Sequence, residues 1–254
     1  VIIRVNKLKT SKKNLKSKLE FENIETIEIN GYTDALKLKE RKNVFKTECF
    51  KMGLFEVQDA SSQLVAEFLD VKPGMKVIDA CAGAGGKTLH LSALMKNKGS
   101  LIAMDIYESK LKKLKLRARR HGAHNIELKL IDSRKPIKKL YGKADRLLID
   151  APCSGLGVLR RNPDTKWKLK PNFINEIKQT QKNILKEYSK MLKHGGKMVY
   201  ATCSILPSEN QHQISSFLAS DDGKNFKLIK EKNIYSHKSG YDGFYMALLE
   251  KIII

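Results

Sequence analysis

Short apolar runs alternate with helical stretches through most of the chain after residue 75. Five runs have the length of buried strands, and the segments between them are long enough for helices. The runs are residues 76–79, 101–105, 126–131, 146–150 and 197–202. This rhythm predicts an α/β fold with a doubly wound, mostly parallel sheet.

The two ends of the chain depart from this rhythm. Residues 1–56 combine β-like runs at 1–8 and 24–29 with a Lys-rich segment at 11–21, which predicts a small α+β region. The runs 226–230 and 244–250 are joined only by a Gly-containing connection, so we expect an antiparallel pair at the sheet edge.

A helix is expected to open the larger domain, residues 57–254. Asp59 is its predicted N-cap, and Leu64, Val65 and Phe68 lie on its apolar face. The chain begins at Val1, already within strand-like sequence, so we expect further residues upstream of the 1–56 region.

The charge and composition of the chain indicate a binding partner and a cellular location. The 49 Lys and Arg residues against 27 Asp and Glu give a net charge of +22, which favours a polyanion such as nucleic acid over a surface that only aids solubility. No run approaches the ~20 apolar residues of a membrane helix, and there is no signal peptide, so we expect a cytoplasmic protein without a membrane partner. The cysteines contain no C-x-x-C pair, so no metal site is expected, and in a reducing compartment no disulfide is expected either.

A glycine-rich turn follows the strand that ends at Asp79. It reads Cys81-Ala82-Gly83-Ala84-Gly85-Gly86-Lys87 and leads into a helical stretch. Such a turn brings a ligand to the backbone and to a helix N-terminus, where free N–H groups favour an anion. Cys81 stands where a phosphate-binding P-loop needs its first glycine, and the dinucleotide-binding spacing also fails. The pattern favours S-adenosylmethionine, with its carboxylate near Lys87, over a turn without a ligand.

Two carboxylates follow in order at later strand ends. Asp105 closes the second run, where a carboxylate typically accepts hydrogen bonds from ribose hydroxyls. Asp132 follows the third run and is a candidate acceptor for the adenine amino group. Each of them is alternatively a helix N-cap only.

Cysteines follow the last two runs, in Asp150-Ala151-Pro152-Cys153-Ser154-Gly155 and Thr202-Cys203-Ser204. The ligand crevice of a doubly wound sheet opens at these strand ends. Carbon 5 of cytosine is a poor nucleophile, and its methylation needs a thiolate to add first to carbon 6. A buried small hydrophobe is the alternative for each cysteine, but two at one sheet edge favour chemistry.

Together these motifs resemble the RsmB-like RNA (cytosine-5) methyltransferases, which include the NSUN proteins. The resemblance runs from about Phe55 to Lys251. It also includes Val57-Gln58-Asp59-Ala60-Ser61-Ser62, Glu209-Asn210 and Asp242-Gly243-Phe244. One departure is Gly83-Ala84, where the family usually has Ala-Pro.

The resemblance implies a Rossmann-like class I methyltransferase with S-adenosylmethionine as cofactor. It implies that Cys203 is the nucleophile and that Cys153 assists release of the methylated product. The residues that it places around the cofactor are Cys81, Ala82, Gly83, Ala84, Gly85, Gly86, Lys87, Asp105, Asp132 and Asp150, with Asp150 also close to the base.

Two segments are candidate RNA contacts. The opening Arg4-Val5-Asn6-Lys7-Leu8-Lys9 resembles a motif of the family's small RNA-binding region, which implicates Arg4 and Asn6. After the Pro-Cys motif, cations alternate with the single Trp of the chain, at Arg160, Arg161, Lys166 and Trp167; the alternative is a solvated loop with a packed Trp. Residues 110–120 are more basic, but their apolar spacing predicts an amphipathic helix with a solvated outer face.

We therefore expect a monomeric RNA (cytosine-5) methyltransferase. Small-subunit ribosomal RNA is the expected substrate, because the resemblance is closest to bacterial rRNA-modifying members, with tRNA as the alternative. A DNA cytosine methyltransferase is disfavoured, because the Pro-Cys of that family is typically followed by Gln, whereas Ser154 follows here. A P-loop hydrolase is disfavoured by Cys81, and a non-catalytic RNA-binding module by the retained thiols and carboxylates.

Overall fold

The first β-sheet is built by the N-terminal region of the computed structural model, which describes residues 1–252. Its strands are β1 (Ile2–Val5), β2 (Thr26–Glu28), β3 (Ala35–Leu38) and β4 (Phe55–Val57). The order is β2-β3-β1-β4, and all neighbours pair antiparallel. Two helices, α1 (Lys12–Phe21) and α2 (Glu48–Lys51), share a hydrophobic core with this sheet.

Helix α1 lies in the Lys-rich segment, where sequence patterning predicted no helix bounds. The Ser11 hydroxyl caps it by accepting a hydrogen bond from the Asn14 N–H at 3.2 Å. Leu15 and Leu19, one turn apart, are fully buried against the sheet, and the lysines face outward. The α+β character of this region was predicted, whereas β3 and β4 were not.

The second sheet has seven strands in the order β10-β11-β9-β8-β5-β6-β7. The strands are β5 (Lys76–Asp79), β6 (Ser100–Asp105), β7 (Ile126–Leu130), β8 (Ala144–Asp150), β9 (Leu192–Thr202), β10 (Phe226–Ile234) and β11 (Phe244–Lys251). Strands β5 to β9 pair in parallel, and β11 and β10 add an antiparallel edge. The predicted α/β fold, with its parallel sheet and antiparallel edge pair, is confirmed.

Helices cover both faces of the large sheet. They are α3 (Ala60–Phe68), α4 (Gly86–Leu94), α5 (Glu108–His121), α6 (Lys135–Lys138), α8 (Pro171–Tyr188) and α9 (Gln211–Leu218). Two short helices, α7 (Thr165–Lys168) and α10 (Ser236–Ser239), bury no residues. Short 3₁₀ turns lie at Val44–Lys46, Leu156–Val158, Ser189–Met191 and Pro207–Glu209. Side chains alternate along β5: Val77 packs with α3 and α4, while Ile78 packs with α8 and α9. Asp59 caps α3 as predicted.

None of the helices within residues 1–252 combines the length and apolar character that a membrane span requires.

The strand order reverses beside β5, and this reversal places the candidate site. From β5 the chain continues outward to β6 and β7, then returns to β8 on the other side. A crevice forms at such a switch point, at the carboxyl ends of the strands. Asp79, Asp105, Asp150 and Thr202 end the strands that meet there.

Candidate active site

The glycine-rich turn between β5 and α4 forms one wall of a pocket in this crevice. Gly85 has a left-handed φ of +91°, and a Cβ at this position would lie 2.6 Å from Leu114 Cγ. Gly83 also has a positive φ, +55°, and its N–H donates to Asp105 Oδ2 at 2.8 Å. Both torsion and space therefore require glycine at position 85.

The pocket has a volume of about 220 Å³. Its lining residues are Gln58, Ser62, Asp79, Cys81, Ala82, Gly83, Ala84, Gly86, Lys87 and Asp150. Most of the predicted cofactor residues thus lie together. Three further residues line the pocket that were not predicted as site residues: Gln58, Ser62 and Asp79. Gln58 and Ser62 belong to the Val57–Ser62 motif, and Asp79 is the acidic residue at the end of β5.

Asp79 offers this pocket a carboxylate oxygen that lacks a partner. The side chain is 1% exposed; Oδ2 accepts a hydrogen bond from Thr88 Oγ1 at 2.7 Å, while Oδ1 has no partner among the described residues. Burial raises the pKa of Asp79 to about 7. A donor on a bound ligand would satisfy the free oxygen.

The start of α4 complements Asp79, because the first N–H groups of a helix have no intrahelical partners and favour an anion. No Cβ at Gly83 would meet an atom within 4 Å, and one at Gly86 would meet only Gln58 Nε2 at 4.0 Å, so the ligand can approach both glycines closely. An amino group beside Asp79 and a carboxylate beside α4 match the amino-acid end of the predicted S-adenosylmethionine.

Asp105 and Asp132 lie beside the pocket rather than in its lining. Asp105 is buried, and its two oxygens accept from the N–H groups of Gly83 and Tyr107 at 2.8 and 2.9 Å. Asp132 is exposed after β7, and Ser133 Oγ lies 3.0 Å from its Oδ1. Asp105 therefore supports the glycine turn, and its role toward a ribose, like that of Asp132 toward adenine, stays a prediction.

Lys87 connects the turn to the motif after β8. Its Nζ donates to Asp150 Oδ2 at 2.6 Å and lies 5.1 Å from the centroid of the Phe244 ring. The ammonium is therefore held between the predicted cofactor site and the strand end that carries the first cysteine motif.

The two predicted catalytic cysteines are in contact, with 3.4 Å between Cys153 Sγ and Cys203 Sγ. The hydrogen bond from Cys153 lowers the pKa of Cys203, although burial and Asp150 oppose this shift, and the Lys87 ammonium lowers it further. The same hydrogen bond and burial raise the pKa of Cys153 well above its ordinary value. Cys203 is thus the thiol that ionises first.

A buried carboxylate, Glu209, holds both cysteine loops. It accepts from Ser154 N–H at 2.8 Å, Ser154 Oγ at 2.5 Å, Ser204 Oγ at 2.6 Å and Gln181 Nε2 at 3.0 Å. Each serine directly follows one of the two cysteines. The spacing between the sulfur atoms is therefore set by one shared side chain. Glu209 stood in a quoted motif, but its role was not predicted.

Gly157 lets two further loops approach the Cys203 loop. Its N–H donates to Cys203 O at 2.8 Å, and its carbonyl accepts from Gly243 N–H at 2.7 Å. A Cβ at this position would lie 2.2 Å from Gly243 O and 2.7 Å from Cys203 O. The close backbone packing leaves no room for a side chain here.

Arg4 and Asn6 were predicted to contact RNA, and this prediction is wrong. Both are fully buried between the two sheets. Arg4 Nη1 donates to Gly86 O at 2.7 Å and to Gln58 Oε1, while Asn6 Nδ2 donates to Gly53 O and His121 O, each at 2.7 Å. Both side chains bind the protein's own backbone, and Arg4 supports the cofactor turn from behind.

The basic segment after the Pro-Cys motif is partly neutralised. Arg161 Nε donates to Asp242 Oδ2 at 2.8 Å, and Arg160 Nη2 lies 3.6 Å from Asp59 Oδ2. Both arginines remain about half exposed. A ligand near the site would therefore meet each arginine together with its acidic partner.

Trp167 lies at the surface rather than in a core. It is 80% exposed, and Lys166 Nζ lies 4.7 Å from its ring centroid. The alternative of a packed Trp is therefore wrong, and the contact of these two residues with RNA stays a prediction.

One group of three potential metal ligands, Asp34, Glu67 and His90, exists within residues 1–252. Lys7 Nζ already lies 2.5 Å from Asp34 Oδ1 and supplies a cation there. We assign no metal to this group.

Comparison with known proteins identifies the family to which the chain is similar. The family described as 16S rRNA methyltransferase RsmB/F matches residues 66–250. The probable ribosomal RNA small subunit methyltransferase B of Bacillus subtilis is 36% identical over 265 residues, covering 98% of this chain and 59% of the relative. The ribosomal RNA small subunit methyltransferase B of Yersinia enterocolitica is 38% identical over 256 residues, with the same coverage of 98% and 59%. The chain thus spans 59% of the length of these curated relatives.

Solved structures agree with the fold. A methyltransferase homolog protein from Pyrococcus horikoshii superposes with a TM-score of 0.86 at 29% identity, covering 99% of this chain and 86% of that one. NSun6 from the same organism, solved with SFG, superposes with a TM-score of 0.90 at 23% identity, covering 100% and 91%. The second likeness shows the fold alone.

Proposed function

The chain belongs to the RsmB/F family of 16S rRNA methyltransferases, and from this premise we propose that it methylates carbon 5 of a cytosine in small-subunit ribosomal RNA. The family agrees with the predicted cofactor, S-adenosylmethionine. The observation that carries the proposal is the contact of Cys203 with Cys153, with Lys87 beside Cys203.

When bound, S-adenosylmethionine supplies an electrophilic methyl group. Asp79 and the N–H groups at the start of α4 would hold its amino-acid end, and Gly83 and Gly86 let it approach the backbone. Asp105 and Asp132 are the proposed partners of its ribose and adenine. The Arg4 guanidinium keeps the turn in place from the opposite side.

Cys203 performs the first chemical task. Its thiolate adds to carbon 6 of the cytosine, and the added electron density makes carbon 5 nucleophilic. A thiol of ordinary pKa is only a few per cent ionised at neutral pH, so the lowered pKa of Cys203 raises the reactive fraction.

Asp150 is placed to hold the cytosine. Lys87 binds its Oδ2, and Oδ1 accepts no hydrogen bond within the described part of the chain. We infer that Oδ1 accepts a hydrogen bond from the exocyclic amino group of the base, and that the Lys87 ammonium beside it stabilises the negative charge that the ring gains from the thiolate. The base must be unpaired or flipped to reach this carboxylate.

Cys153 acts at the end of the reaction. Release requires loss of the proton from carbon 5 and departure of the Cys203 sulfur from carbon 6. Cys153 contacts the departing sulfur and keeps its own proton at neutral pH, so its S–H donates a hydrogen bond that stabilises the Cys203 thiolate as the bond to carbon 6 breaks, while a water molecule takes up the proton from carbon 5. We infer that this contact assists release of the product.

The test is methyl transfer from radiolabelled S-adenosylmethionine to transcripts of small-subunit rRNA and of tRNA. Wild type should label cytosine in the rRNA, Cys203→Ala should lose at least a thousandfold in rate, and Cys153→Ala should accumulate a protein–RNA adduct that survives denaturant. Cys49→Ala is the control, because this cysteine is buried in the N-terminal core.

Full activity of Cys203→Ala would contradict the assigned nucleophile. Labelling of tRNA alone would keep the chemistry and change the substrate. Cofactor binding without labelling of either RNA would favour a non-catalytic RNA-binding role.

A further inference from the structure

A groove lies between the N-terminal sheet and α5, outside the catalytic pocket. It encloses about 590 Å³, within the range of about 300–1,000 Å³ that is usual for ligand sites. Its walls include two aromatic side chains, two aliphatic ones and two guanidinium groups: Phe45, Phe50, Val57, Leu116, Arg117 and Arg120.

Two large apolar residues of the groove are open to solvent, while Phe50 is half-buried. Phe45 is 58% exposed and Leu116 is 65% exposed, although both are large hydrophobic side chains. The Phe45 ring meets Phe50 edge-on, with 5.0 Å between centroids, and Arg120 Cζ lies 3.7 Å from the centroid of the Phe50 ring. The groove thus presents an exposed aromatic face beside a stacked cation.

The net charge of the residues that line the groove is positive, and its two arginines are fixed in position. The buried carboxylate of Glu56 binds both Arg117, at 2.9 Å, and Arg120, so two cations share one anion. Helix α5 carries seven Lys and Arg residues against one acid, and its lysines are exposed. A ligand in the groove would therefore meet phosphate-binding groups directly beside it.

The groove also shares a wall with the catalytic pocket. Arg117 Nη1 donates to Ala84 O at 2.7 Å, and Ala84 lines the cofactor pocket. Val57 lines the groove, and the next residue, Gln58, lines the pocket. The groove therefore adjoins the cofactor pocket through Arg117 and through the step from Val57 to Gln58.

We propose that the groove binds an unpaired nucleobase of the RNA substrate, other than the methylated cytosine, by stacking on Phe45. An exposed aromatic ring with cations beside it is the arrangement by which proteins bind single-stranded nucleic acid. The inference rests on the proposed function for the identity of the ligand as RNA. It extends that function by assigning the contact to α5 and to the 3₁₀ turn at Val44–Lys46.

The experiment measures RNA affinity directly, without cofactor or turnover. The probe is a fluorescein-labelled oligonucleotide of roughly twelve uridines and cytidines, followed by fluorescence anisotropy. Phe45→Ala should raise Kd roughly 5- to 100-fold, the loss expected for one stacked base. Phe21→Ala is the matched control, because Phe21 is 90% exposed at the end of α1, and it should bind as wild type does.

A conservative variant separates stacking from folding. Phe45→Trp keeps an aromatic face and should bind at least as tightly as wild type, while equal losses in Phe45→Ala and Phe45→Trp would overturn stacking. Wild-type affinity in Phe45→Ala would overturn the proposal and make a protein segment the better candidate occupant. If Phe45→Ala binds the oligonucleotide more weakly although wild type methylates no RNA, the result supports base binding in the groove and contradicts the proposed function.

Discussion

Cys153 and Cys203 carry the same functional group at the ends of neighbouring strands, yet their surroundings differ. The hydrogen bond between the sulfur atoms is the largest cause of the difference, because the neutral thiol donates to the ionised one. Lys87 adds to it by favouring the thiolate of Cys203 against burial and Asp150, and the charge of Glu209 disfavours the thiolate of Cys153. These contacts distinguish the proposed nucleophile, Cys203, from its hydrogen-bond donor, Cys153.

Removal of the Cys153 donor should raise the pKa of Cys203. Alkylation of Cys203 by iodoacetamide requires the thiolate, so its rate rises with pH through this pKa. In Cys153→Ala we expect that rise to move to higher pH, with several-fold slower alkylation of Cys203 at pH 7, as followed by mass spectrometry.

Cys153→Ser is the matched comparison, since its hydroxyl can still donate to the Cys203 sulfur. Its profile should lie between those of wild type and Cys153→Ala. Superimposable profiles for all three proteins would show that the donor does not control the pKa of Cys203.

Site residues that a short motif identifies could be predicted from the sequence, whereas residues whose role depends on partners far away along the chain could not. The cysteines were found because thiols at two strand ends are chemically conspicuous. Arg4 was misplaced because its motif resembles one in an RNA-binding region, and motif resemblance does not show that the packing of the two regions buries the side chain. Glu209 was not assigned because its partners Ser154 and Gln181 lie 55 and 28 residues away.

Among the elements, the parallel strands were predictable because their apolar runs are buried on both faces. The strands of the N-terminal sheet have only three or four residues each, and β1 pairs with β4 across some fifty residues, so local pattern gives little signal. In α1, only Leu15 and Leu19 are buried among ten residues, too few to show a helical period.

The connections at the carboxyl edge have to approach one another closely, and Gly157 permits this. Gly157→Ala would place a methyl group against Gly243 O and Cys203 O. We expect the free energy of unfolding to fall by about 1–3 kcal/mol, as for an overpacked core. Methyl transfer should fall more than cofactor affinity, because the Cys203 loop moves and the glycine turn does not.

Gly240→Ala provides the control in the connection that precedes β11. This glycine has a φ of +74° and open space around it, so the substitution should cost about 1–2 kcal/mol from the left-handed torsion alone. Urea unfolding and methylation assays on both variants separate the two effects. Equal activity in the two variants would contradict a positional role for Gly157.

Across the whole molecule, a seam of polar contacts joins the N-terminal region to the region of the large sheet; the contacts of Asn6 are buried and those of Lys9 are exposed. Arg4 reaches the cofactor turn, Asn6 reaches the end of α5, and Lys9 Nζ donates to Arg120 O at 2.6 Å. The N-terminal region is therefore connected to the glycine turn beside β5, where the cofactor would bind.

Arg4→Met should weaken binding of S-adenosylhomocysteine roughly tenfold, about the value of one hydrogen bond from a charged group. The reason is that Gly86 O and Gln58 lose the guanidinium that fixes them. Isothermal titration calorimetry gives the affinity, and circular dichroism confirms the fold.

Lys9→Met is the control for docking of the two regions, because Lys9 crosses the same seam without contacting the turn. It should leave the affinity for S-adenosylhomocysteine unchanged. Equal weakening in both variants would mean that domain docking, rather than the Arg4 contact, determines cofactor affinity.

The single carboxylate of Glu209 also has a consequence for how such a site evolves. Ser154 and Ser204 come from separate loops but share this one acceptor, so replacement of either serine leaves a buried charge with fewer donors. We therefore expect positions 154, 204 and 209 to covary among related sequences. Because Cys153 and Cys203 directly precede the two serines, we expect both cysteines to be retained or lost together.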